Sequence, residues 1–212
     1  MPDKMNTKYL RRYTNLPVLL DMLTHKRITL LDPVSWEDRN DSFYIEKYRE
    51  RKGLKTVLAL CFTEKTETFH HWKVFAGESS GVCIRFIRNE LLDCLQKKPG
   101  IQCGSVSYHF MRDLQDTPPS LTTLPFLKRK QYEDEAEFRI IYENRNKIHR
   151  SKNFQIDITC IDKIILSPWM PPPVAKTVKK VISGLPGCKK IQLIRTGVVE
   201  SLAWKNIVNG LA

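Results

Sequence analysis

The chain is 212 residues long, 42% hydrophobic and 27% charged, which is ordinary for a globular protein with a substantial core. Its longest apolar runs are far shorter than the roughly 20 residues of a membrane-spanning helix, and no apolar stretch follows a basic start, so the expectation is a cytoplasmic protein without membrane contact. Lys and Arg outnumber Asp and Glu by 35 to 23, and the net charge of +12 favours polyanionic partners, either nucleic acid or a phosphate-rich small molecule.

In chain order, Tyr9–Tyr13 is strand-like, and Asn15-Leu16-Pro17 predicts a helix entry with proline inside the first turn. Leu16, Leu19, Leu20 and Leu23 then form an apolar stripe at helical spacing. Ile28–Leu31 predicts a strand ended by Asp32-Pro33, and Asn40–Gly53 a charged helix with Asn40 or Asp41 as its N-cap. Thr56–Phe62 is apolar on both faces, the pattern of a central strand. Helix is predicted for Thr66–Ala76, with Gly77 as its stop, and for Asn89–Lys98; strands are predicted for Val82–Phe86 and Ser105–Tyr108. Ser120–Tyr132 is assigned as a helix interrupted by Pro125. The last third alternates strand Glu137–Tyr142, strand Ile161–Leu166, helix Val174–Ser183, strand Ile191–Arg195 and helix Glu200–Val208. Strands and helices mix without strict βαβ alternation, no Gly-x-Gly-x-x-Gly follows a strand, and no linker or repeat divides the chain. The expectation is a single α+β domain over residues 1–212.

Six cysteines lack Cys-x-x-Cys spacing, and the five histidines do not pair with them at ligand spacing. Reduced, buried thiols and no metal are expected. The densest polar feature is Tyr132-Glu133-Asp134-Glu135-Ala136-Glu137-Phe138-Arg139. If the strand begins at Ala136, then Glu135, Glu137 and Arg139 share one face. Two neighbouring carboxylates there are candidates for shifted pKa values or for stabilising a developing cation, and an exposed strand face carrying an ion pair is the structural alternative. Arg11-Arg12-Tyr13 precedes a helix N-terminus, a combination that can hold phosphate. His70 and His71 are adjacent on a helix and so point in different directions, which argues against one site using both.

Several landmarks together resemble a family of mostly bacterial proteins catalogued as domain of unknown function 2971: Arg12-Tyr13, Leu30-Leu31-Asp32-Pro33 leading to Asn40-Asp41, Cys61-Phe62-Thr63, Trp72 with Phe75, Gly81-Val82-Cys83-Ile84 with Phe86, Val106 with Tyr108, and Glu135-x-Glu137-x-Arg139. Tyr132 stands where that family usually has Trp, and Phe75 where Tyr is common. A more distant resemblance links Asn15-Leu16-Pro17-Val18-Leu19-Leu20, Ala136-Glu137-Phe138 and Glu135-x-Glu137 to the ADP-ribosyltransferase superfamily. Thr63 stands where a fuller Ser-Thr-Ser motif would be, and no histidine occupies the first strand.

The second resemblance implies an ADP-ribosyltransferase-like α+β fold with mixed sheets and flanking helices, and NAD as substrate. Cleavage of the nicotinamide–ribose bond develops positive charge that a carboxylate stabilises. By the resemblance Glu137 carries that role, Glu135 prepares the acceptor, Arg12 pairs with pyrophosphate, Thr63 orients the ribose, Tyr13 or Phe75 stacks on nicotinamide, and Arg139 supports the cofactor site. The implied protein modifies a macromolecule, with nucleic acid suggested by the charge, in phage defence or as a toxin. The rival reading is a non-catalytic nucleic-acid-binding protein with a structural acidic cluster. The first requires Arg12, Thr63 and Glu137 to line one cleft; the second requires a continuous basic face without it.

Overall fold

A computed structural model describes residues 7–209. Its frame is a mixed, nine-stranded sheet with flanking helices, an α+β architecture. The main path runs β11 (Gln192–Arg195), β10 (Ile161–Leu166), β4 (Gly81–Ile87), β1 (Tyr9–Asn15), β3 (Thr56–Thr63), β2 (Arg27–Leu31), β9 (Ser151–Gln155). From β3 a branch leads to β8 (Glu137–Asn144) and then β5 (Ile101–Ser105). All pairings in this sheet are antiparallel except β10 with β11.

The two-residue period of the strands separates two faces. Leu58, Leu60 and Phe62 of β3, with Phe138, Ile140 and Tyr142 of β8, enter the main core. There they meet Leu19, Met22 and Leu23 of α1 (Leu16–His25), Leu91, Leu92 and Leu95 of α4 (Arg88–Leu95), and Ala175, Val178 and Ile182 of α6 (Pro172–Gly184). On the other face, Val57 and Ile141 pack against Ile45 and Tyr48 of α2 (Arg39–Arg51). Trp72 of α3 (Phe69–Phe75) packs there over Cys83 and Ile165. This second face also presents Cys61 and Thr63 opposite Arg139 and Glu137 in the β3–β8 register.

A split in the sheet opens the site. β1 is fully paired to β4 but meets β3 at one register pair, Arg11 with Thr63. Beyond that pair the two strands part, so Arg12 and Tyr13 on one side and Cys61 on the other border open space.

Two expectations change, and one strand, β9, has no counterpart among the expected elements. The stretch expected as helix Ser120–Tyr132 is a 3-10 turn (Leu121–Phe126), strand β7 (Leu127–Arg129) and another 3-10 turn (Lys130–Glu135). Pro125 lacks an N–H, and Ser120 and Thr123 bond to each other, so a regular helix is not sustained. The strand expected at Ser105–Tyr108 breaks at Val106: β5 pairs with β8, while β6 (Ser107–His109) pairs with β7. Strand β9 carries little hydrophobic signal because only Phe154 of its five residues is buried and it forms a sheet edge. Among the described residues no helix is long and apolar enough to cross a membrane.

Candidate active site

A cavity of about 520 Å³ occupies the split, walled by β1, β3, α3, the start of α2, and the segment from β7 to β8. Its lining brings together Arg12, Tyr13, Thr63, Phe75, Glu135 and Glu137. Arg139 lies behind them.

The acidic wall is built on β8. Arg139 has no exposed surface, and all five of its N–H donors are engaged. Nε and Nη2 donate to the two Glu137 oxygens (2.7 and 2.8 Å); Nη1 and Nη2 donate to the two Asp41 oxygens (3.0 and 2.8 Å); Nη1 also donates to the Pro125 carbonyl (2.8 Å). Expected as a cofactor-binding residue, Arg139 instead has no donor left for a ligand: its geometry orients carboxylates. Burial alone would push the Glu137 carboxyl up, but Arg139 and then Lys128 outweigh it and hold the group at about 2. Glu137 is therefore ionised at neutral pH.

Glu135 does not share the strand. β8 starts at Glu137, and Ala136 takes a left-handed conformation (φ 40°) that turns the chain out of the preceding 3-10 turn. Left-handed backbone is uncommon for a residue with a Cβ, and Ala136 is held in it by hydrogen bonds to Glu133 and Glu64. The two carboxylates nevertheless converge because Lys128 of β7 lies between them. Its Nζ is 2.6 Å from Glu135 Oε2 and 3.4 Å from Glu137 Oε2, with Asp41 Oδ2 at 3.6 Å. Burial pushes Glu135 above the ordinary carboxylate value, partly countered by Lys128. Burial also raises Asp41, countered by Arg139. Three carboxylates thus share two cations, which leaves the wall negative.

The opposing wall carries Arg12. Burial lowers its guanidinium to about 10, so it remains charged at neutral pH. Its Nη1 reaches the Cys61 carbonyl at 3.5 Å, while its Nε has no acceptor. Among the described residues three buried side-chain polar atoms lack a partner: Arg12 Nε, Tyr13 Oη and Asp38 Oδ2. All three belong to residues that line this cavity. Tyr13 Oη has the Cys83 thiol as a weak neighbour, but buried polar atoms are ordinarily satisfied, and the unpartnered Arg12 Nε and Asp38 Oδ2 mark this space as a place for a polar ligand. Tyr13 stacks on His71 with ring centroids 5.5 Å apart, and His71 lies 5.8 Å from Phe75.

Thr63 lines the cavity, but its hydroxyl donates to the Glu135 carbonyl (2.6 Å) and accepts from Lys65 N–H (3.1 Å). It fastens the Glu135 turn to β3 and leaves no donor for a ribose. Of the two histidines, His71 is buried in the cavity wall and His70 is exposed. Burial lowers the His71 pKa, which keeps its ring neutral at physiological pH.

Sequence reasoning missed Asp41 and Lys128 as members of the site. Asp38, not Asn40 or Asp41, caps α2 by accepting from the N–H groups of Asn40 and Asp41. That shift frees Asp41 to point inward, and the signal available was the Asp38-x-x-Asp41 spacing beside Trp36, whose ring lies 4.9 Å from the Arg139 guanidinium. Lys128 sat in a basic triplet, Lys128-Arg129-Lys130, with nothing local to separate it from its neighbours. Among the described residues no cluster of three or more His, Cys, Asp or Glu is arranged to hold a metal ion.

No family model matches the chain, so the resemblance to domain of unknown function 2971 has no support from that comparison, and no curated protein matches it. Solved structures with a similar layout include DarT from Thermus sp. 2.9 in three complexes. The complex with carba-NAD+ aligns with a TM-score of 0.48 at 9% identity, over 92% of this chain and 99% of that one. The complex with ADP-ribosylated ssDNA gives 0.47 at 10% identity, over 92% and 96%. The complex with NAD+ gives 0.46 at 9% identity, over 92% and 98%.

Proposed function

We propose that the cavity binds NAD as substrate and transfers its ADP-ribosyl group to a macromolecular acceptor, with nucleic acid as the acceptor that the net charge favours. The observation that carries this reading is the polarity of one cavity: a half-buried Arg12 with a buried, unpartnered Nε on one wall, and an ionised Glu137 beside a raised Glu135 on the other.

The residue chemistry fits the substrate. The orphaned Arg12 Nε is the kind of donor that a phosphate oxygen satisfies. Tyr13 and Phe75, joined through His71, offer an aromatic wall for a flat ring. NAD supplies a glycosidic bond whose cleavage develops positive charge on the ribose. Glu137 is fixed by Arg139 before any ligand arrives, so its charge stabilises that developing cation without reorganisation. Glu135 is more exposed than Glu137 and its carboxyl is raised, which suits it to accept a proton from the incoming acceptor. Lys128 keeps the two carboxylates apart in role: it holds one Glu135 oxygen, while the other accepts no hydrogen bond among the described residues.

The test is direct. Wild type should bind NAD and release nicotinamide, and Arg12→Ala should weaken NAD binding while remaining folded. Failure of wild type to bind or consume NAD with single-stranded DNA, RNA or protein acceptors would leave the rival reading, a nucleic-acid-binding protein whose Arg139 network is purely structural. The fully engaged Arg139 is the feature that favours that rival. A role as a toxin or in phage defence follows only if expression arrests bacterial growth in wild type and not in Glu137→Gln.

A further inference from the structure

A second concavity, of about 590 Å³, lies on the outer side of α2. The first turn of that helix is the wall between the two spaces. Asp38 and Asp41, three residues apart, face the catalytic cavity, whereas Arg39, Ser42 and Phe43 face the outer groove. The far side of the groove is the chain leading into β9, with Ile148, His149 and Arg150.

The groove is basic and partly apolar. Glu46 neutralises Arg49 and Asp32 adds one further acid, but among the described residues Arg39, Lys55 and Arg150 form no ion pair and leave the lining net positive. Residues 145–152 add Arg145, Lys147 and Lys152 and contain no acid. Phe43 is 56% exposed at the groove, with the ammonium of Lys47 5.5 Å from its ring centroid. Phosphate-backbone binding needs unpaired cations along a track, and single strands add stacking on an aromatic side chain. A duplex does not suit the position, because its stacked and paired bases offer Phe43 no free face. The exposed lysines of α6 (Lys176, Lys180) offer charge as well, but α6 joins β10 to β11 at the other edge of the sheet.

We propose that this groove binds a single-stranded nucleic acid, with Arg39, Lys55 and Arg150 on phosphates and Phe43 against a base, and directs the adjoining nucleotide over the first turn of α2 into the catalytic cavity. The delivery step rests on the cavity being the place of chemistry; the binding step does not.

Binding of a short labelled single-stranded oligonucleotide of mixed sequence, followed by fluorescence anisotropy across a salt series without NAD, tests it. The double variant R39E/R150E should lose at least about tenfold more affinity than K176E/K180E, which alters the net charge equally. Its log–log salt slope should flatten by about 1.4, the counterion release of two lost phosphate contacts on a single strand. Phe43→Ala should weaken binding about tenfold with the slope unchanged. Equal losses for the two double variants, an unchanged salt slope in R39E/R150E, or no wild-type binding at low salt would each overturn the proposal. The exposed Val34 and Ile148 would then mark the groove as a protein contact. Wild type that binds through the groove but never releases nicotinamide would remove the catalytic reading and leave the groove standing.

Discussion

Replacing Glu137 by Gln keeps the side-chain volume and removes one charge at the centre of the buried network. The structural consequence can be sized. Holding the Glu137 carboxyl at about 2 instead of its ordinary 4.5 corresponds to about 3 kcal/mol of folding stability at neutral pH. Because the folded value lies below the unfolded one, that contribution is present above about pH 4.5 and is lost as pH falls towards 2. The amide also turns an NH₂ towards donors of Arg139 or Lys128, which leaves one of them without an acceptor. We therefore expect E137Q to be destabilised by about 3 kcal/mol in urea unfolding, and to show a flatter stability profile between pH 5 and pH 2 than wild type. If Glu137 acts on the developing cation, NAD cleavage should fall on the order of 10²–10³-fold. The two effects separate through Asp41→Asn, which removes another carboxylate from Arg139 but leaves Glu137 in place. D41N should keep activity within about tenfold when assayed where circular dichroism shows every variant folded. Equal loss of activity in D41N and E137Q would refute the reasoning, because it would trace activity to the integrity of the Arg139 network and not to charge at position 137.

Arg139→Met should destabilise the protein by about 3–5 kcal/mol in urea, since it leaves buried carboxylates without their shared cation; Arg139→Lys should not restore it, having three donors where five are used. Arg12→Ala should weaken NAD binding about 10–100-fold by calorimetry without lowering the melting temperature, because a half-buried cation whose buried Nε has no partner contributes little to the fold. Lys128→Met should move the acid limb of the pH–rate profile upward: Lys128 favours the ionised Glu135, so its loss raises the pH at which Glu135 can accept a proton. Cys83 and Cys160 should resist thiol reagents in the native state, as both are fully buried with thiols pushed up by burial.

Much of the frame was legible because it rests on local patterning. The both-face apolar run of β3 announced a central strand, and Asn15-Leu16-Pro17 with proline in the first turn announced α1, since these signals depend on residues within one element. The segment from 120 to 135 was not legible: its strand exists only because β6 is beside it, and its turns follow from Pro125 and from hydroxyls bonding locally. The composition of the site divides in the same way. Arg12, Tyr13, Glu135 and Glu137 drew notice as clusters of charge and aromatics along the chain. Whether they face one space depended on β1 meeting β3 at one pair and then diverging, which no local pattern encodes. The strand period placed Glu137 and Arg139 on one face, but the sense of their pairing needed Asp41, 98 positions away from Arg139 in sequence, to complete the guanidinium's set of acceptors. Glu135 reached the same place by a different route, through the left-handed turn at Ala136 and the ammonium of Lys128. Sequence thus determined which elements form and which side chains could bear charge. The tertiary structure alone decided which charges are buried together, and burial is what moves a carboxylate away from its ordinary behaviour.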